Sequence, residues 1–237
     1  DEQKEQDWLV SSTDENNRRE GVEIAKRTID LAVELNAVLV VIHPGSIPGS
    51  TVLDKELRKL YRAGKKGTSE YAQLQQELIS DRAVRAPAHL SAVIRSMKEI
   101  ADYASSAGIR IGMENRYRYY DIPILDEMES LLDVCKEEWF GFQYDVGHAQ
   151  TLHQLGLCDH EEWLKRYGQR ITGVHLHDVI GIDDHQAPGT GDVDYAMISC
   201  YLPKTAYLTL EVNHKLNLFD IKSGLDNLTQ FGIIERI

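Results

Sequence analysis

The chain has 237 residues, 42% of them hydrophobic, which is ample for one large core and within the size at which α/β barrels form a single domain. Its formal net charge of -12 weighs against long-range attraction to a nucleic-acid backbone or an anionic membrane surface, although a local basic patch can sit on an acidic protein. No apolar run approaches the roughly 20 residues that span a bilayer, and no signal-peptide pattern opens the chain, so a cytoplasmic protein with no membrane partner is expected.

Helical and apolar segments alternate along the chain. From Asp14 to Leu35, apolar residues at Val22, Ile24, Ala25, Ile29, Leu31, Ala32 and Leu35 predict an amphipathic helix capped by Ser12 or Thr13. Ala37 to Ile42 has no polar residue and predicts a strand covered on both faces. A charged stretch from Leu53 to Arg85 follows, with the composition of two short helices. It sits in a helical insertion at about residues 46–87, on the C-terminal side of the strand, where long excursions form lids, substrate walls, plain solvated surface or a subunit contact.

Four more cycles are expected. Helix Ala88–Ser105 leads to strand Ile109–Glu114, and helix Ile124–Lys136 to strand Phe140–Asp145. Helix Glu161–Tyr167 leads to strand Ile171–His175, and helix Tyr195–Leu202 to strand Tyr207–Val212. A helix around Phe219–Phe231 closes the chain. This alternation predicts a parallel sheet in an α/β fold, a (β/α)8 TIM barrel of which five βα units are evident. The residues 1–237 are expected to form one domain, with three N-terminal βα units absent from the sequence or supplied by another chain. Cys135, Cys158 and Cys200 have no CxxC spacing and read as reduced packing residues.

The strand ends carry the chemistry. They read VVIHPG (His43), RIGMEN (Glu114), FGFQYDVGH (Asp145, His148), ITGVHLHD (His175, His177) and LTLEVN (Glu211). Carboxylates and imidazoles at the same end of successive parallel strands suit a divalent cation. Glu114 ends an apolar strand and needs either a cation or an ion pair, for which Arg116 and Arg118 are at hand. Asp145 and His148 flank Gly147, which allows a sharp turn. His175 and His177 share a face; one suffices as a ligand, and the other holds it or touches substrate. In the loop GIDDHQAPGTGDVDY, Asp183 and His185 can grip a cation, and PGTG offers backbone N–H groups to an anion. His89, His153, His160 and His214 have no comparable placement and read as surface or helix residues.

HPGS, GMEN, DVGH, HLHD, DHQAPGTGDVDY and LEVN, in this order, resemble the xylose-isomerase-like barrel superfamily of sugar-phosphate isomerases, epimerases and type-four apurinic endonucleases. The resemblance runs from about Asp14 to the end and starts at what would be the fourth strand. It implies that Glu114, Asp145, His175 and Glu211 hold one divalent ion (Mn, Zn, Mg or Co), as in the epimerase branch. In the endonuclease branch three zinc ions are held, and His43, His148, Asp183 and His185 match further ligand positions. Arg116, Tyr117, Arg118, Tyr119 and Tyr120 stand where the endonuclease pattern has small residues. They suit a sugar ring and a carboxylate or phosphate, though they can also stack on bases.

The expected activity is therefore metal-dependent isomerisation or epimerisation of a sugar or sugar phosphate. In this reading the ion stabilises an enediolate, Glu114 and Glu211 move the proton, and His148 or Arg116 orients substrate oxygens. The alternatives are a zinc-dependent apurinic endonuclease or phosphodiesterase and, third, a non-catalytic sugar-binding barrel. A homodimer paired through outer helices is one open assembly.

Overall fold

The computed structural model describes residues 9–49, 51–134 and 136–235. The backbone divides into two compact units that meet between Gly141 and Phe142. The first holds α1 (Glu15–Glu34), β1 (Leu39–Ile42), α2 (Thr51–Arg62), α3 (Ser69–Ala107), β2 (Arg110–Glu114) and α4 (Leu125–Leu132). Strand β3 (Phe140–Asp145) begins there and continues into the second. The second unit then runs α5 (Val146–Gln154), α6 (His160–Tyr167), β4 (Ile171–Leu176), β5 (Asp178–Ile180) and β6 (Asp183–Gln186). It ends with α7 (Tyr195–Ser199), β7 (Tyr207–Leu210) and α8 (Leu218–Gln230).

One five-stranded sheet has the order β1–β2–β3–β4–β7, and β5–β6 form a separate antiparallel pair. The pairs β1–β2, β3–β4 and β4–β7 are parallel, as the alternation of helix and strand requires. Strands β2 and β3 are buried apart from Arg110, whereas β1 is half-buried and β7 half-exposed. The expectation that the first strand is covered on both faces is thus corrected: its apolar run is not packed on two sides among the described residues.

Local chemistry explains most boundaries. Asp14, rather than Ser12 or Thr13, caps α1 by accepting from the N–H groups of Asn16 and Asn17. Val22, Ile29 and Ala32 face inward on α1, while Leu31 and Leu35 are exposed. Leu31 lies two residues, some 200° of helical rotation, beyond Ile29 and so falls on the opposite side.

The largest departure is α3. The second short insertion helix and the helix expected from Ala88 are one 39-residue helix, capped by Thr68 and ended by Gly108 at φ 74°, with Pro87 inside it. An interior proline removes an amide donor and crowds the preceding turn, a cost of about 3 kcal/mol. Burial on both sides of it offsets that cost: Leu78, Arg82 and Ala86 before, and Ala92, Val93, Met97, Ile100, Ala101 and Ala104 after. The helix expected to reach Lys136 ends at Leu132 with Asp133 as its cap. Cys135 lies outside the described residues. Cys158 is part-exposed and Cys200 exposed, so neither is the buried packing residue expected.

Candidate metal centre

In the first unit, β1 and β2 are neighbours in register, with Ile42 opposite Met113, so His43 and Glu114 leave the sheet side by side. Glu114 is buried. His43 Nε2 lies 2.6 Å from its Oε2, and Arg116 Nη1 donates to the same oxygen at 2.8 Å. The ion pair anticipated for Glu114 therefore forms with Arg116, which also lies 3.9 Å from Asp121. Arg118 instead approaches Asp54 of α2 at 3.4 Å.

The segment after Glu114 is stitched to the insertion. Arg58 pairs with Asp54 at 2.8 Å, donates to the Tyr117 carbonyl and stacks 4.0 Å from the Tyr117 ring. Arg82 of α3 donates to both oxygens of Glu127 and to the carbonyls of Tyr119 and Asp121. Nothing in the sequence pattern marked Asp54, Arg58 or Arg82, because, apart from the Asp54–Arg58 pair four residues apart, their partners lie 37 to 65 positions away.

In the second unit, β3 and β4 set Asp145 opposite His175, and β4 and β7 bring Glu211 beside them. His175 Nδ1 lies 3.4 Å from Asp145 Oδ2 and 2.7 Å from Glu211 Oε2. Asp145 is fully buried and also caps α5, accepting from the His148 N–H at 2.7 Å. His148 Nδ1 lies 3.5 Å from Asp145. His177 is buried; its Nε2 donates to Asp145 Oδ1 at 3.0 Å, and its Nδ1 accepts from the His185 N–H at 2.9 Å. The His177 and His185 rings stack with centroids 4.4 Å apart, and His185 Nδ1 lies 3.1 Å from Asp184. Asp183 stands exposed on β6, so Asp184 is the carboxylate that His185 takes, together with Glu211 at 3.6 Å.

The electrostatics follow from this crowding. Burial raises the Asp145 pKa, but the surrounding His148, His177 and His175 outweigh it and hold the carboxyl well below its ordinary range. Hydrogen bonds from His175 and His185 hold Glu211 down at about 2 against partial burial. Hydrogen bonds to Asp184 and Glu211 push His185 up to about 10, so it is an imidazolium. At His177, burial opposes protonation and the Asp145 charge and hydrogen bond overcome it, giving a raised value. The His185 N–H counters this, since only a bare Nδ1 can accept it; in either state Nε2 carries a proton.

Three expectations change here. Gly147 is not a turn: it lies in the first turn of α5, where a Cβ would fall 2.1 Å from the His177 ring. The loop after β4 is a hairpin, β5–β6, followed by PGTG. That PGTG turn already has its anion, for Asp178 accepts from the N–H groups of Val179, Gly189 and Val193 at 2.8, 2.7 and 3.1 Å. His160 is a helix residue, as expected, the first of α6, and it is buried between the Tyr144 hydroxyl and Gln150. His89, in α3, faces the Ser11 carbonyl.

Two donor groups in this unit lie within 4.8 Å: Asp145, His175 and Glu211, and His177, His185 and Glu211. The first fits a divalent cation: two carboxylates and an imidazole, with donor separations compatible with bonds of about 2.0–2.2 Å to one ion. The second fits poorly, because both His177 nitrogens are engaged.

The sequence profile of a family described as xylose isomerase-like TIM barrel matches residues 5–230. The chain belongs to that family. The uncharacterized protein MJ1311 of Methanocaldococcus jannaschii is 28% identical over 205 residues, covering 85% of this chain. The chain spans 58% of that relative's length. Among solved structures, a D-tagatose 3-epimerase-like protein has TM-score 0.66 at 23% identity, covering 95% of this chain and 73% of its own. IolI with a bound zinc atom has TM-score 0.63 at 16% identity, covering 94% and 73%. At these identities the likeness carries the fold: an α/β fold of the TIM-barrel type.

Proposed function

We propose that this chain is a divalent-metal-dependent sugar isomerase or epimerase that works by proton transfer, with Glu114, Asp145, His175 and Glu211 as the ligands of its ion. The carrying observation is His175 Nδ1 set between two carboxylates, Asp145 and Glu211, at 3.4 and 2.7 Å. Three strand ends supply these groups, so the rigid sheet sets their spacing. The fourth, Glu114, is a buried carboxylate at the end of β2 with His43 and Arg116 on one oxygen. The epimerase-like name of one structural neighbour and the zinc in another support both parts of the reading.

A divalent ion bound there would polarise a substrate carbonyl and its neighbouring hydroxyl, acidifying the adjacent C–H bond. Glu114 and Glu211 take and return that proton, and the hydrogen bonds from His175 and His185 keep Glu211 ionised at neutral pH. Arg116, already held by Glu114, and His148, on the first turn of α5, orient substrate oxygens. The reaction is intracellular in this reading, the partner is a small sugar, and no helix among the described residues is long and apolar enough to cross a membrane.

The hydrolase alternative draws on His43, His148, Asp183 and His185 as additional ligands. It draws less support from the second unit, where Asp183 stands exposed on β6 and Asp184 is the carboxylate beside His185. The deciding experiment is metal analysis coupled to turnover of a ketose panel in deuterated water, with an abasic-site duplex as a parallel substrate. One ion per chain and deuterium on a sugar carbon are expected. Three zinc ions per chain with cleavage of the duplex would replace this reading by the nuclease.

A further inference from the structure

We infer that His177 is a positioning residue for the metal centre, neither a ligand nor a contact to substrate. This rests on the metal-dependent reading above and concerns one ring that the strand-end pattern alone leaves ambiguous. His177 is buried, in contrast to His175, which keeps some exposure two residues earlier. Its two nitrogens are both spoken for within the chain. Nε2 lies 3.0 and 3.2 Å from the two oxygens of Asp145, and Nδ1 takes the His185 N–H at 2.9 Å. A cation needs a lone pair on an imidazole nitrogen, and His177 has none left to give.

What the ring does instead is fix the Asp145 carboxylate. That group accepts the α5 amide at Oδ1 and lies 3.4 Å from His175 through Oδ2, so its rotation decides which oxygen faces a cation. The His177 N–H sits across both oxygens and resists that rotation. The ring itself is held by the His185 ring stacked 4.4 Å away and by the close approach of α5. Clearance for it comes from Gly147, where any Cβ would stand 2.1 Å from Cε1 and 2.5 Å from Nδ1. Glycine is needed at that position for the neighbour's sake, since its φ is not in the left-handed region. Carboxylates that are themselves hydrogen-bonded in this way bind metal more tightly, by about 10- to 100-fold.

The test uses the full chain and zinc, with affinity read by competition against a chromophoric chelator and by the visible spectrum of the cobalt form. The variants are His177→Phe, which keeps the ring and loses both hydrogen bonds, and His177→Gln, whose amide N–H can reach Asp145. Expected are zinc binding weakened by about 10- to 100-fold in His177→Phe with an altered cobalt spectrum, and recovery towards wild type in His177→Gln. Should His177→Phe fail to fold, as judged by melting of the metal-free protein, Gly147→Ala displaces the same ring and is expected to weaken zinc comparably. Unchanged affinity in His177→Phe or, in its place, Gly147→Ala overturns the inference and leaves the metal centre standing. Equal loss in His177→Gln and His177→Phe overturns it as well, because the N–H would then not be what matters. If wild type itself fails to bind a divalent ion, the metal-dependent reading falls and this inference with it.

Discussion

The Tyr144 hydroxyl and His160 Nε2 share a hydrogen bond inside the second unit, one residue before the Asp145 carboxylate. His160 Nδ1 donates to the Gln150 side-chain oxygen at 2.7 Å, so Nε2 is the acceptor and the ring is neutral. Burial drives its pKa down to about 3. A histidine depressed in the fold stabilises it fully above the unfolded value near 6.5 and loses that contribution as pH falls towards 3. Urea unfolding at pH 7, 6, 5 and 4 should show stability dropping by up to about 1.4 kcal/mol per pH unit below 6.5. In His160→Gln this component should vanish. The depressed carboxylates Asp145 and Glu211 begin to lose their contribution only below their ordinary values of 3.8 and 4.5, so the interval from 6.5 to about 4.5 isolates the histidine.

Asp145 has two duties that substitutions can pull apart. Asp145→Asn keeps an oxygen for the α5 amide but removes the charge that His148, His175 and His177 surround, so metal affinity should collapse and the melting temperature of the metal-free protein should fall as well. Asp145→Ala removes the cap too and should cost a further ~1 kcal/mol. Equal melting temperatures for the two variants would show that the cap contributes nothing. His175→Ala and Glu211→Gln should each abolish stoichiometric metal uptake, measured by elemental analysis.

Arg82 and Glu127 form a buried pair with two contacts of 2.7 Å, and Arg82 additionally ties down two carbonyls of the tyrosine-rich segment. Breaking such a pair from one side strands a buried charge. Arg82→Ala is expected to cost about 3–5 kcal/mol, read by denaturant unfolding. A loss below ~1 kcal/mol, the level of an exposed pair, would mean that water reaches the stranded carboxylate.

Phosphorylated sugars should be poorer substrates than free ones. Arg116 is matched by Glu114 and Asp121, and Arg118 by Asp54, so neither is an uncommitted receptor for a dianion. The loop from His177 to Asp194 contains no lysine or arginine at all, and in its PGTG turn the Gly189 N–H is taken by Asp178 and the Thr190 N–H by the Ala187 carbonyl. A kcat/KM for a ketose phosphate above that for the parent ketose would contradict this.

Much of this was legible in the sequence. Apolar runs ending in Glu114, Asp145 and His175 marked strands β2, β3 and β4 to within a residue or two, because buried parallel strands leave an uninterrupted apolar signature. What escaped was information held in tertiary contacts. Asp-Val-Gly-His looked like a turn because glycine usually marks one, whereas Gly147 is small on account of a ring thirty residues away. The β5–β6 hairpin lacks the alternation of β-branched residues that would announce it. Asp184 and Asp183 are indistinguishable in a string and differ only in which face of β6 they occupy. Pro87 lies between the two helices expected there, and burial on either side of it explains why they form one.

That uninterrupted helix decides how the charged insertion can behave. At 1.5 Å per residue, α3 is a rod of roughly 58 Å. Arg82, which grips the segment after β2, and Met97 and Ile100, which are sunk in the interior, ride on the same rod. The wall beside the tyrosines therefore has no independent hinge at its root: swinging it away would drag core side chains out with it. Independent motion of the insertion is left to the connection between Arg62 and Ser69.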